Sequence, residues 1–195
     1  MKSKLRCPWC LSDPLYQDYH DHEWGVPVHD DLTQFEFLVL ESAQAGLSWL
    51  TILKRREGYR LQYSGFDAQL VAMYDEKKIR SMLEDPGIIR NRKKIEASVN
   101  NARCFLEIQQ KFGSFSNYLW AFLDGRQLVN YFTQLNEIPS KTPLSDVISK
   151  DLKSKGFQFM GSTIVYAHLQ ATGLINDHLT NCFRHAECIE SLSIK

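Results

Sequence analysis

The chain has no apolar run approaching the ~18 residues that a membrane span requires, and its first residues, Met1-Lys2-Ser3-Lys4-Leu5-Arg6-Cys7, contain no apolar signal core. A cytoplasmic protein without a membrane partner is therefore expected. Net charge is also absent, since 23 Lys and Arg balance 23 Asp and Glu over 195 residues, which argues against a protein that coats a polyanion indiscriminately. No Pro-, Gly- or Ser-rich linker divides the chain, and there is no internal repeat or low-complexity segment. Long β-branched or aromatic alternations bounded by turns are missing, so a sheet is not expected. What is present, 44% hydrophobic residues, suffices for a sizeable core. The expectation is one all-α, monomeric domain over residues 1–195. Two sub-bundles are a conceivable subdivision, one spanning about 50–123 and the other formed by the N- and C-terminal parts together.

Absence of charge on average conceals a local absence of one sign. Residues 11–50 hold eight acids and no Lys or Arg, whereas residues 51–195 carry 20 basic and 15 acidic side chains. Four of the basic ones fall in Arg90-Asn91-Arg92-Lys93-Lys94. One region could attract a cation while another meets a polyanion, although solvated faces give the same composition.

Most of the chain reads as helix. From Gln34 to Trp49 the apolar positions Phe35, Leu38, Ala45 and Trp49 follow the 3–4 spacing, and Phe37, Val39, Leu40 and Ala43 fill other sides, as in a helix buried nearly all round. Asp67 and Asp75 are placed to cap helices running through Met73 and Leu83. Thr142-Pro143 opens another that Gly156 closes, and Ser162 to Thr172 forms a further one that stops at Gly173. Asp124 to Lys141 is the least patterned stretch and reads as a loop.

Cysteine and histidine cluster at both ends: Cys7, Cys10, His20 and His22, then His178, Cys182, His185 and Cys188. The spacing of His178 and Cys182 suits one face of a helix. Zinc favours four nitrogen and sulfur ligands, so a Cys/His pair from each end could close one site and staple the termini together. Cys7-Pro8-Trp9-Cys10 also has the spacing of dithiol oxidoreductases, but no strand precedes it, which argues against redox catalysis.

Asp85-Pro86-Gly87 signals a turn between a helix ending near Glu84 and one beginning near Asn91. Ile88 and Ile89 would plug this hairpin into the core. Arg90, Arg92, Lys93 and Lys94 follow where backbone N–H groups and the positive end of the helix dipole converge, a geometry that grips one DNA phosphate. An ordinary turn with solvated basic residues has the same pattern.

Glu41 lies in the apolar helix with Phe37, Leu38 and Ala45 one turn away, where an unpaired carboxylate costs several kcal/mol. No cation lies within residues 11–50 to pair with it, leaving a distant residue, backbone N–H groups or a ligand. Trp9, Tyr16, Tyr19, Trp24 and Trp49 are near in sequence. An anion among aromatic faces suits a flat cationic guest, and an aromatic core with one hydrogen-bonded Glu is the plainer alternative.

Taken together these residues resemble the 3-methyladenine DNA glycosylase I family of helix-hairpin-helix enzymes. The matching motifs are Arg6-Cys7-x-Trp9, Asp13-Pro14-Leu15-Tyr16, Tyr19-His20-Asp21-x-Glu23-Trp24-Gly25, Leu40-Glu41-x-x-Gln44-Ala45-Gly46-Leu47-Ser48-Trp49, Gly87-Ile88-Ile89-Arg90-Asn91-Arg92-x-Lys94-Ile95 and Gly173-Leu174-Ile175-Asn176-Asp177-His178-x-x-x-Cys182. The resemblance implies the helix-hairpin-helix glycosylase fold and excision of N3-methyladenine from alkylated double-stranded DNA, with the free base as product. It points to one structural zinc on Cys7, His20, His178 and Cys182. It further implies a base pocket of Glu41, Trp49, Tyr16, Tyr19 and Trp24 with Trp9 close by, Glu41 being the catalytic residue, and DNA binding by Gly87, Ile88, Arg90, Arg92 and Lys94. The chain departs from the family pattern at Val165, Ala167 and His168, where Cys and Ser-Phe are expected.

The implied chemistry is undemanding. Methylation at N3 makes adenine cationic, so it leaves as a neutral base and needs little acid catalysis. The protein must extrude the nucleotide, recognise its charge and position a water, as a monofunctional hydrolase. A non-catalytic rival, a zinc-stapled DNA-binding module with a merely structural aromatic core, would have no affinity for the free base.

Overall fold

Helix starts in this chain are written in capping side chains. Asp13, Asp30, Ser48, Asp67, Asp75, Asn91, Ser114 and Thr142 each accept a hydrogen bond from a backbone N–H in the first turn of the helix that follows. The computed structural model describes residues 4–190. Over these the helices are α1 (Pro14–His22), α2 (Asp31–Gln44), α3 (Trp49–Leu53), α4 (Arg56–Gln62), α5 (Ala68–Ala72), α6 (Glu76–Glu84), α7 (Arg92–Phe112), α8 (Phe115–Trp120), α9 (Pro143–Ser154), α10 (Ser162–Ala171) and α11 (Phe183–Glu190). None is long and apolar enough to cross a membrane.

α2 is the axis of the core. Ten consecutive residues from Gln34 to Ala43 are buried, and α7, α8, α10 and α3 pack around them. Phe35 meets Phe105 of α7 edge-on at 5.1 Å, and Phe105 stacks on Phe115 of α8 at 4.4 Å. Each such ring contributes about 1.5–3 kcal/mol by leaving water. Polar residues on this helix need partners: Gln34 takes His168 Nε2 at 2.8 Å and gives its amide to the Val28 carbonyl, and Glu36 receives Arg56 and Arg60.

Three expectations are corrected. The apolar spacing carries a single helix from Gln34 to Trp49, but α2 spans Asp31–Gln44 and stops. Gly46 adopts φ +80°, a left-handed conformation open to glycine, and Ser48 caps the new helix α3 that carries Trp49. Second, a small sheet exists: β1 (Leu128–Val129) pairs in parallel with β2 (Ile175–Asn176), Leu128 opposite Ile175. Two residues per strand are too few for an alternation to register. Third, His178 and Cys182 lie in the turn between β2 and α11 and not on a helix.

The turn after α6 is built as the sequence implies. Asp85 accepts from the Gly87 N–H at 2.7 Å, Ile88 is buried, and Asn91 caps α7. Its seat is α4: a Cβ on Gly58 would lie 2.3 Å from the Gly87 carbonyl oxygen, so the two backbones touch, and the Tyr59 hydroxyl accepts from Ile89 N–H at 3.2 Å.

Candidate functional site

Two side-chain clusters and the hairpin lie on this scaffold. The first is a cavity of about 190 Å³ whose walls come from separate elements: Trp9 before α1, Tyr16 and Tyr19 on α1, Trp24 after it, Glu41 and Gln44 on α2, Trp49 on α3, and Ala167 and Gln170 on α10. Every pocket residue proposed from the sequence is brought together. Trp9 packs on Tyr16 at 4.9 Å and edge-on against Trp24 at 5.0 Å, while Tyr19 meets Trp49 at 5.4 Å. Phe37 backs Trp49 in a stacked arrangement at 6.3 Å.

Glu41 is 3% exposed, and its Oε2 has no hydrogen-bond partner among the described residues. Burial pushes its carboxyl up to about 8. Burial, reinforced by the Glu41 charge, also raises the Tyr16 and Tyr19 phenols. The Trp49 Nε1 donor is likewise buried without a partner among the described residues. An unpaired acceptor and an unpaired donor on two residues that line one aromatic-walled cavity leave polar needs that a planar guest with hydrogen-bonding edges can meet. Of the three partners the sequence leaves open for Glu41, the fold supplies neither a distant cation nor backbone N–H groups to Oε2 among the described residues.

The second cluster adjoins it. The ligand atoms of Cys7, His20, His178 and Cys182 all lie within 4.8 Å of one another, and the four residues are buried. Cys182 Sγ is 3.4 Å from His20 Nε2, and both Cys7 and Cys182 Sγ are 3.7 Å from His178 Nδ1. The other ring nitrogens are anchored: His20 Nδ1 lies 2.8 Å from Asp21, itself held by Arg6, and His178 Nε2 donates to the Trp24 carbonyl at 2.9 Å. Hydrogen bonding between the two thiols pulls Cys182 down and pushes Cys7 up. Two sulfurs and two oriented imidazoles, dry and converging, fit a tetrahedral zinc. The other terminal candidates lie elsewhere. Cys10 donates to the Cys7 carbonyl, His22 sits on the surface beside Asp18, His185 Nε2 lies 2.8 Å from the Asn130 carbonyl, and Cys188 is buried outside the cluster. Trp24, stacked edge-on against His178 at 4.6 Å, belongs to both clusters.

At the hairpin, Arg90 is exposed beside the buried Ile88, whereas Arg92 is paired with Glu76 at 3.0 Å and Glu96 at 3.1 Å. Lys94, expected at the phosphate, is engaged within the fold. Its amine donates to the Ala43 and Ala45 carbonyls at 2.8 and 2.7 Å, satisfying the exposed end of α2 and the turn that leads to Trp49.

Sequence reasoning missed Gln44, Ala167 and Gln170 in the pocket wall, and Asp21 behind His20. Asp21 was discoverable, because a carboxylate beside a ligating His commonly fixes its ring. The uncharged residues had no such signal. Of the departures from the family pattern, Val165 is in the core, His168 bonds Gln34, and only Ala167 reaches the cavity.

A family model for methyladenine glycosylase matches residues 9–185. The chain is 47% identical over 177 residues to DNA-3-methyladenine glycosylase 1 of Escherichia coli (strain K12), covering 91% of this chain and 95% of that protein. A crystal structure of 3-methyladenine DNA glycosylase I superposes with a TM-score of 0.89 at 47% identity, over 92% of this chain and 98% of the other. The Staphylococcus aureus 3-methyladenine DNA glycosylase I, solved for the structural basis of 3-methyladenine recognition, gives a TM-score of 0.88 at 39% identity over 91% and 95%.

Proposed function

This chain belongs to the methyladenine glycosylase family, and from that premise we propose how its pocket performs base excision. It is a DNA-3-methyladenine glycosylase, hydrolysing the N-glycosyl bond of the damaged nucleotide in DNA repair. The observation that carries the reading of the site is the unpartnered Glu41 Oε2 among aromatic rings. N3-methylated adenine in DNA is a cation with N–H donors on its edge. Extruded into the cavity, it offers Glu41 Oε2 the charge and hydrogen bond that none of the described residues supplies, and it stacks on Trp49.

Cleavage breaks the bond between the base nitrogen and the sugar carbon and forms a bond from that carbon to a water oxygen. The electron pair of the broken bond neutralises the base, and the water proton leaves to solvent. No lysine among the described residues lines the cavity, which supports water as the nucleophile in place of a covalent amine. Glu41 acts on the base, and its carboxylate favours the extruded cation over undamaged adenine. The hairpin at Gly87 and Ile88, with Arg90 and Arg92, holds the phosphate backbone.

Cys7, His20, His178 and Cys182 would hold zinc, which with four protein ligands supplies a structural clamp and no open position for chemistry. These residues join the segment bearing Trp9 to the turn after β2, and through Trp24 they steady one pocket wall. The test is to incubate the protein with methylated duplex DNA and separate the released bases. Free 3-methyladenine with an unbroken abasic strand is expected, and retention of 3-methyladenine in the DNA would overturn the reading.

A further inference from the structure

The excision chemistry above gives no task to two amides in the cavity wall, Gln44 and Gln170, and the second has its polarity fixed from outside the cavity. Gln170 lines it from α10 and is half-buried. Which end of its amide faces outward is decided behind the wall. Gln170 Nε2 donates to Asp177 Oδ2 at 2.6 Å; the same oxygen receives the Tyr166 hydroxyl, and Asp177 Oδ1 receives Asn130 Nδ2 at 2.7 Å. Asp177 is fully buried and has no Lys or Arg partner among the described residues, so these three donors are what hold it.

Both Asp177 oxygens already accept from other donors, Oδ1 from Asn130 and Oδ2 from Tyr166, so the face turned to Gln170 is an acceptor. Flipping the Gln170 amide would exchange a charge-assisted hydrogen bond for two oxygens in contact, and the cost would fall in a buried place. The nitrogen therefore stays on Asp177, and the group left for the cavity is the carbonyl oxygen, which takes no hydrogen bond among the described residues. The Gln170 backbone is tied separately, its carbonyl accepting from Gly25 N–H at 3.0 Å.

Glu41 cannot supply the same information. With its carboxyl pushed up to about 8, it can offer either an O–H or an acceptor near neutral pH, and so satisfies an amino or an oxo group on a purine. Gln170 has no second state. We propose that Gln170 Oε1 is a specificity-determining acceptor that takes the exocyclic amine of the extruded base and repels a 6-oxo group, and that Asp177 is the positioning residue that locks its polarity. This rests on the reading of the cavity as a 3-methyladenine site.

The test uses the full chain and two free bases, 3-methyladenine and 3-methylhypoxanthine, which differ by an amino against an oxo group, with binding followed by tryptophan fluorescence. Wild type binds the amino base more tightly. Gln170→Met keeps the length of the side chain and removes the acceptor. It weakens 3-methyladenine about fivefold, the worth of one neutral hydrogen bond, and leaves 3-methylhypoxanthine unchanged or tighter, so the ratio narrows. An unchanged ratio overturns the proposal, whether neither affinity moves or both fall together as general damage to the wall would make them. Wild type binding neither base would sink the 3-methyladenine reading and this inference with it, whereas wild-type binding with an unmoved ratio sinks Gln170 alone. Gln170→Leu gives the same readout where the methionine variant does not fold.

Discussion

Replacing Glu41 by Gln preserves the shape of the side chain and deletes its charge, so one substitution should stabilise the fold while disabling the pocket. Glu41 titrates at 4.5 in the unfolded chain and at about 8 when folded, because burial penalises the carboxylate. Between these values the folded chain holds a proton that the unfolded chain has released. Stability contributed by this group is thus complete below pH 4.5 and is lost as pH rises toward 8. At pH 7 the loss is about 3 kcal/mol at 1.36 kcal/mol per unit, and Gln does not feel it. The variant should therefore melt roughly 6–12 °C higher than wild type at pH 7, given ~2–4 °C per kcal/mol for a chain of this size, and at the same temperature as wild type near pH 4. Binding should move the other way. Between a protonated Glu41 and the neutral free base, one hydrogen bond is worth about 0.5–1.5 kcal/mol, so affinity for 3-methyladenine should fall roughly 2- to 13-fold, with binding to undamaged DNA barely changed. Thermal melts across pH 4–8 with titration of the free base measure both. A melting difference that does not grow with pH would refute the burial argument, and wild-type affinity for the base in Glu41→Gln would refute its role in recognition.

Freshly purified protein should contain about one zinc per chain, and Cys182→Ala should lose the metal and melt earlier; metal analysis finding none in unchelated protein would remove the clamp. Arg90→Ala and Arg92→Ala should weaken binding to every DNA sequence and lower the salt slope by about one per lost phosphate contact. Slopes equal to wild type would show a merely solvated surface. Lys94→Met should behave differently from both, reducing affinity for the free base as well as for DNA, because its amine holds the Ala43 and Ala45 carbonyls beneath Trp49. Unchanged base affinity in that variant would return Lys94 to the role of a simple phosphate contact.

Helix starts were legible wherever a short polar side chain precedes an apolar period, as at Asp67, Asp75, Asn91 and Thr142. The end of α2 was not, since the 3–4 spacing runs on across Gly46 although the chain turns there. Glu41 stood out because no cation lies near it in sequence, and the metal cluster because four soft or imidazole donors gather at two distant places. His178 and Cys182 reached that cluster by a turn and not by the helix their spacing suggests, as a tetrahedron needs convergent atoms and not a particular backbone. Gln170 and Asp177 were invisible for a different reason. An amide acquires direction only from what holds it, and here the holder is brought in by the turn after β2.

Cys7 and His178 meet across 171 residues of sequence, which sets a timetable for synthesis. A nascent chain emerging at about 5–20 residues per second presents the α2 acid, Trp49 and the Gly87 hairpin long before the residues that close the pocket. Until α10 is out, Ala167 and Gln170 are missing from the wall, and until His178 follows, Trp24 lacks the ring that meets it edge-on. Polypeptides interrupted before α10 thus lack one side of the chamber, which is complete only once α10 and the turn after β2 have been made.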